Sequence, residues 1–172
     1  MTAFIALLRA VNVGGTGKLP MSELQAMCVD AGFAQVKTYI ASGNVVFTSA
    51  SNEAAIRQAL EARLQAYAGK PVGVLVRTAQ QMAAVAAANP FAGGAPNRVV
   101  AIFLDSPPAA SALTDITHRR DEELALGTRE IYVHYGDGMA DSKLQIRAAK
   151  TGTARNMNTV AKLAAMAAAL KG

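Results

Sequence analysis

The 172-residue chain has no tryptophan, one cysteine and few aromatic residues, 5% in all. Cys28 alone cannot form an internal disulfide or supply the thiolate cluster of a zinc site. Its neighbours Met27 and Val29 place it in a helix interior, where a free cysteine is normally buried. Charged residues are only 17% of the chain, and the 14 glycines and 6 prolines follow no short period, which excludes disordered and fibrous classes. No stretch approaches the ~18 uncharged apolar residues that a membrane span requires. Arg9 follows the first apolar run instead of preceding it, the wrong order for a secretion signal, so a cytoplasmic protein with no membrane association is expected.

What the chain has in abundance is alanine, 37 residues of the 172. Alanine favours helix and lets helices approach a sheet closely, but it supplies little area, so the larger side chains must carry most of the burial. The length fits one domain or two small ones. Net charge is +5, unevenly spread: residues 1–141 hold 11 basic and 12 acidic residues, whereas 142–172 hold six basic residues and no acid. A field of one sign attracts anions such as phosphates or nucleic acid, although a solvated, solubilising face has the same composition.

Patterning predicts the elements. TAFIALLRA reads as a strand covered on both faces, ending at Asn12 in a glycine-rich loop. A helix then begins near Pro20 and stops at Gly32. VKTYIASGNVVFT predicts two strands around a turn at Ser42-Gly43-Asn44. Residues 52–67 predict the clearest helix, with Ile56, Leu60, Leu64 and Tyr67 in one stripe. VGVLV at 72–76 is a strand, and Thr78 with Gln81 forms a capping box for the next helix. The order strand, helix, two strands, helix, strand is that of the split βαβ, or ferredoxin-like, unit.

Residues 89–97, rich in Gly and Pro, are the expected linker between a ferredoxin-like subdomain at 1–88 and a second α/β subdomain at 98–172. In the second, 99–104 predicts a strand, 108–117 a short helix, 124–126 and 131–135 a hairpin about Gly127-Thr128, and 142–149 a helix. No closing strand is evident. A C-terminal helix at about 158–170, with Val160, Leu163, Met166 and Leu170 on one side, is expected in its place. The fold class expected is therefore α+β, with two ferredoxin-like subdomains, the second incomplete or altered and closed by a C-terminal helix.

Chemistry is sparsely signalled. The stretch from Asn12 to Lys18 leaves a strand and enters a helix, as a phosphate-cradling loop does, but Asn12 replaces the first required glycine and Leu19 the magnesium-holding hydroxyl. Nucleotide hydrolysis of that kind is not expected. The backbone around Gly14 and Gly15, with Lys18, suits a smaller anion; the other reading is a simple connection. Ser142 is placed to cap a helix, and His134, alternating with Tyr132 along a strand, is the better functional candidate of the two histidines. No HExxH, CxxC or carboxylate cluster suggests a metal, and no cofactor motif is present. Base stacking would have to use Phe47, Tyr132 or Tyr39. The stretch from Lys150 to Val160 combines Arg155, Asn156 and Asn158 just before the last helix; Asn158 is the expected cap, and the helix start beside Arg155 is a competent anion site. The competing reading is that Arg155 and Asn156 tie the helix to the sheet.

Five strings, RAVNVGGTGKLPMSEL, TYIASGNVVF, NPF at 89–91, YVHYGDGMADSKL and TGTARNMNTVAKL, occur in an order that resembles the uncharacterised bacterial family catalogued as domain of unknown function 1697, from about residue 4 to 170. The resemblance implies two ferredoxin-like subdomains and no established reaction, substrate or cofactor. Its pattern falls on Arg9, Asn12, Gly14, Gly15, Pro20, Ser42, Gly43, Asn44, Ser142, Lys143, Leu144, Arg155, Asn156, Asn158 and Thr159. Members usually carry tryptophan where this chain has Met157. A ring packed in the core is replaceable by methionine, whereas one stacked on a ligand is not.

Three functions fit these readings. The first is binding of an anionic or phosphorylated small molecule, or nucleic acid, in a groove built from Asn12, Gly14, Gly15, Lys18, Ser42, Asn44, Lys143, Arg155, Asn156 and Asn158. The second is a small hydrolase or transferase using Ser42 or His134. The third is a homodimeric scaffold using the incomplete sheet edge of the second subdomain.

Overall fold

The first apolar run forms β1 (Thr2–Leu8), and period-two alternation buries it on both faces. Phe4, Ala6 and Leu8 enter one core cluster, while Ile5 and Leu7 on the opposite face are fully buried as well. The computed structural model describes residues 1–12, 18–136 and 142–170. The chain divides into two compact units, residues 1–83 together with 163–172, and residues 84–162. The architecture is α+β.

In the first unit β1 is followed by α1 (Met21–Asp30), β2 (Ala34–Thr38), β3 (Asn44–Ser49), α2 (Glu53–Ala68) and β4 (Val74–Thr78). The sheet runs β2-β3-β1-β4, and every neighbouring pair is antiparallel. Local chemistry explains the helix limits. The Asn52 side chain accepts the Ala55 N–H at 2.9 Å to start α2, and Gly69, at φ 74°, ends it in the left-handed conformation. Ile56, Leu60 and Leu64 are buried from α2 into the cluster that holds Val45, Phe47, Val74 and Val76. Tyr67 departs from the expected stripe: it is 47% exposed. The capping box is present, with Thr78 N–H donating to Gln81 Oε1 at 2.9 Å and Gln81 N–H to Thr78 Oγ1 at 3.1 Å, and it opens α3 (Ala79–Ala87).

The second unit contains β5 (Val99–Phe103), β6 (Ile116–Thr117), β7 (Glu123–Leu126), β8 (Glu130–His134), β9 (Gln145–Ile146) and β10 (Thr153–Asn156), and the start of α4 (Met157–Ala168), which counts with the first unit from residue 163 on. The hairpin about Gly127 forms as expected, as β7 and β8. Three expectations are corrected. A closing strand exists: β10 pairs with β5, completing an antiparallel sheet in the order β10-β5-β8-β7. It escapes a hydrophobicity reading because its alternation is inverted. Thr153 and Arg155 are the buried residues, and the apolar Ala154 between them is exposed. The helix expected at 108–117 is one 3-10 turn, Ala110–Leu113, after which β-branched Ile116 and Thr117 pair with Ile146 and Gln145. The helix expected at 142–149 is replaced by β9 and a 3-10 turn, Arg147–Ala149. Along α4, Met157, Thr159, Val160, Leu163 and Ala167 are the buried positions, while Met166 and, just beyond the helix, Leu170 are half-buried.

Candidate functional site

The connection after β1 is clipped shut at its base by one side chain. Asn12, at φ 56°, accepts the Leu19 N–H on Oδ1 at 2.6 Å and donates from Nδ2 to the Leu19 carbonyl at 2.9 Å and to the Ala41 carbonyl at 2.8 Å. A short amide side chain tolerates this backbone region, and here its oxygen and both amide protons are engaged. The last of these bonds ties Asn12 to the turn before β3, so the segments of Asn12 and of Ser42 and Asn44, both expected in a groove, are joined. Gly14 and Gly15 lie outside the described residues. In the turn, Asn44 is fully buried and donates to the Tyr39 carbonyl at 2.8 Å and to Ser42 Oγ at 2.9 Å. Gly43 has φ 90°, and a Cβ there would stand 2.7 Å from Val11 Cγ2 and 2.8 Å from Leu8 Cβ. These bonds and contacts fix the turn's shape.

Beside this clip lies a cleft of about 380 Å³, between the end of β1, the residues leading into α1 and the carboxyl end of α2 with its exit loop. Arg9, Lys18 and Lys70 line it, and no carboxylate does so among the described residues. The floor is the rim of the first core, formed by Val11, Leu19 and Leu64, and Tyr67 and Val72 add to the walls. The carboxyl end of α2 brings about half a negative charge. The three lining cations carry the opposite sign, and Glu61, on the Val74 N–H at 3.0 Å, stands just outside the lining. Antiparallel pairing explains the assembly: Leu8 faces Val74, so Arg9 meets Gly73, donating its N–H to the Gly73 carbonyl at 2.9 Å. Among the described residues, Lys18 is the one expected site residue that lines this cleft. As a site residue Arg9 rests on the family resemblance alone, Tyr67 reads as a core position, Val72 as part of a strand, and Lys70 carries no signal in the sequence. The missed signal was topological, since the end of β1 and the start of β4 are far apart in sequence and adjacent in the sheet.

In the second unit, Arg155 is 7% exposed; it donates to Thr153 Oγ1 at 2.7 Å and to the Ala154 carbonyl at 2.9 Å, and burial pulls its guanidinium down to about 10. Asn156, not Asn158, caps α4: its Oδ1 accepts the Thr159 N–H at 2.9 Å. Asn158 and Lys143 are exposed. Ser142 does not cap a helix. It donates to Glu122 Oε2 at 2.5 Å and accepts the Leu144 N–H at 3.3 Å. The Ser142 hydroxyl, followed by the Arg120 N–H, holds the Glu122 carboxyl below the ordinary value. His134 stacks on Phe91, ring centroids 5.7 Å apart, with Nδ1 3.5 Å from Glu123 Oε1. Among the three aromatics considered for base stacking, Phe47 is fully buried against Phe33, centroids 4.4 Å apart, and Tyr132 is buried with its hydroxyl on the Val85 carbonyl at 2.7 Å. Burial, followed by the neighbouring Glu130, pushes the Tyr132 phenol up to about 12. Cys28 is likewise buried, its thiol raised to about 12.

A family model described as "Protein of unknown function (DUF1697)" matches residues 1–132. The chain belongs to this family. The solved structure of conserved bacterial protein SP0830 from Streptococcus pneumoniae is similar to this DUF1697 chain with a TM-score of 0.78 at 21% identity, covering 96% of this chain and 98% of that one. At that identity the likeness speaks to the fold. No curated protein matches the sequence. Of the DUF1697 pattern residues in this chain, Arg9 lines the cleft, whereas Asn12, Gly43, Asn44 and Asn156 hold backbone geometry. Met157 is 6% exposed, which is the packed alternative for that position. Among the described residues, no helix is long and apolar enough to cross a membrane.

Proposed function

We propose that this DUF1697 protein binds an anionic small molecule in the cleft of its first unit. One observation carries the reading: Arg9, Lys18 and Lys70 converge on a hollow of about 380 Å³ with no carboxylate in its lining among the described residues. A hollow of that size with an apolar floor and a few polar groups has the make-up of a small-molecule site. Strand order β2-β3-β1-β4, with helices in the two crossovers, supports reading the first unit as ferredoxin-like, and the order β7-β8-β5-β10 supports an altered copy in the second. On that scaffold the cleft sits at a strand end, where loops vary without disturbing the sheet.

Calorimetric titration with inorganic pyrophosphate tests the proposal. Binding is expected to weaken from low to high salt, because exposed charges are screened beyond about 8 Å at physiological ionic strength. Lys18→Glu is expected to weaken it about tenfold, equivalent to ~1.4 kcal/mol. Lys143→Glu, an exposed cation in the other unit, is expected to change it little. Equal loss in both variants, or none in either, overturns the assignment.

A further inference from the structure

We infer that the anion bound in this cleft is carried on a flat ring, and that a nucleoside phosphate is the ligand class that fits; this rests on the anion-binding reading above. The cleft is two-sided in chemistry. Arg9, Lys18 and Lys70 supply positive charge, while Val11, Leu19 and Leu64 present the rim of the hydrophobic core. An inorganic anion would use the cations and leave the half-exposed Tyr67 ring in water. Tyr67 decides which kind of ligand the cleft suits. It lies one helical step after Leu64, so both project from the same side of α2, yet Leu64 is 1% exposed and Tyr67 47%. A large aromatic ring left half in solvent at the wall of a cationic cleft is a stacking surface, and every nucleobase offers a π-face to it. Arg9 and Lys18 then account for the phosphate and Tyr67 for the base. A nucleoside phosphate carries both features in one small molecule.

The test compares adenosine monophosphate, ribose 5-phosphate and inorganic phosphate by calorimetric titration of the full chain, its Tyr67→Ala, Tyr67→Phe and Lys18→Glu variants. Adenosine monophosphate is expected to bind about tenfold more tightly than ribose 5-phosphate. Tyr67→Ala should remove that advantage and leave ribose 5-phosphate unchanged, while Tyr67→Phe, which keeps the ring, should retain it. Because Tyr67 is half exposed, the variants are expected to fold, and unchanged circular dichroism checks this. If adenosine monophosphate and ribose 5-phosphate bind equally and both weaken in Lys18→Glu, the ring inference fails and anion binding stands. If Tyr67→Ala weakens both ligands alike, the ring shapes the cleft without reading a base, and the inference again fails. If no phosphate binds, both readings fall together.

Discussion

The two units share a strand order but cover their sheets differently. In the first, α1 and α2 fill the crossovers, and their buried Leu24, Ile56, Leu60 and Leu64 build one cluster with the sheet. In the second, the corresponding stretches are 3-10 turns and the short β6–β9 pair, with Ala112 and Ile146 as the buried contributions. The strand order therefore tolerates either kind of cover, provided apolar side chains reach the sheet. The cover does change what is left for ligands. The carboxyl end of α2 helps enclose a cleft whose charged lining is cationic among the described residues, whereas the hollow beside β9 mixes signs, with Arg147 and Asp115 within 3.8 Å of each other and Lys150 nearby. A hollow lined by cations without carboxylates among the described residues is thus a feature of the helical unit.

The sharpest way to break this comparison is through the glycines that let each sheet close. Gly43→Ala places a methyl 2.7 Å from Val11 Cγ2 at a backbone angle of φ 90°, so steric crowding and the left-handed penalty add. A loss of about 4 kcal/mol is expected. Gly152→Ala, just before β10, meets the Phe103 carbonyl oxygen at 2.5 Å without a positive φ. About 3 kcal/mol is expected there, because backbone cannot swing aside. Urea unfolding of both variants measures the difference. A Gly152→Ala protein as stable as the wild type would mean that β10 is not held against β5 as described.

The next test concerns the clips. Asn12→Ala removes three hydrogen bonds and puts alanine at φ 56°, so a loss of about 3 kcal/mol is expected. Asn12→Gly, which restores the backbone freedom alone, should recover about 1 kcal/mol of it. The second unit's counterpart is Ser142 on Glu122, and it is readable through pH. The Glu122 carboxyl is held below its ordinary 4.5, chiefly by the Ser142 hydroxyl, so its contribution is present above that pH and is lost as pH falls through the folded value. Ser142→Ala should therefore lose less stability on acidification than the wild type does. Equal acid dependence in the two proteins would detach Ser142 from the effect.

Legibility followed the same division. Elements with a local signal were readable: the capping box of Thr78 and Gln81, the buried Ile56, Leu60 and Leu64 of α2 and the hairpin about Gly127. β10 was hidden because its inward positions are Thr153 and Arg155, whose burial is made tolerable by bonds that no hydropathy pattern displays. In place of the expected helix at 142–149, Gln145 and Ile146 pair with Thr117 and Ile116, a partner far away in the chain that local pattern does not display. For the site, Lys18 was identified from its glycine-rich loop. Arg9, Tyr67 and Lys70 join it only through the β1–β4 pairing and the exit of α2, which is information carried by topology.

The smallest effect compares the aromatics at the middle of β3 and β8. Phe47 needs no polar partner, lying against Phe33 and Phe4. Tyr132 is equally buried but must place a hydroxyl, which it does on the Val85 carbonyl at 2.7 Å. Tyr132→Phe is expected to cost about 1 kcal/mol at neutral pH, the usual net value of such a bond. The alkaline limb should move as well. Burial raises the Tyr132 phenol from 10 to about 12, so its stabilising contribution is complete below pH 10 and is lost as pH rises toward 12. Phenylalanine has no proton to lose there, so the variant should lose less stability between those values than the wild type. If both proteins lose the same amount over that interval, the hydroxyl is reaching water, and the contrast between an all-apolar stack and an anchored phenol disappears.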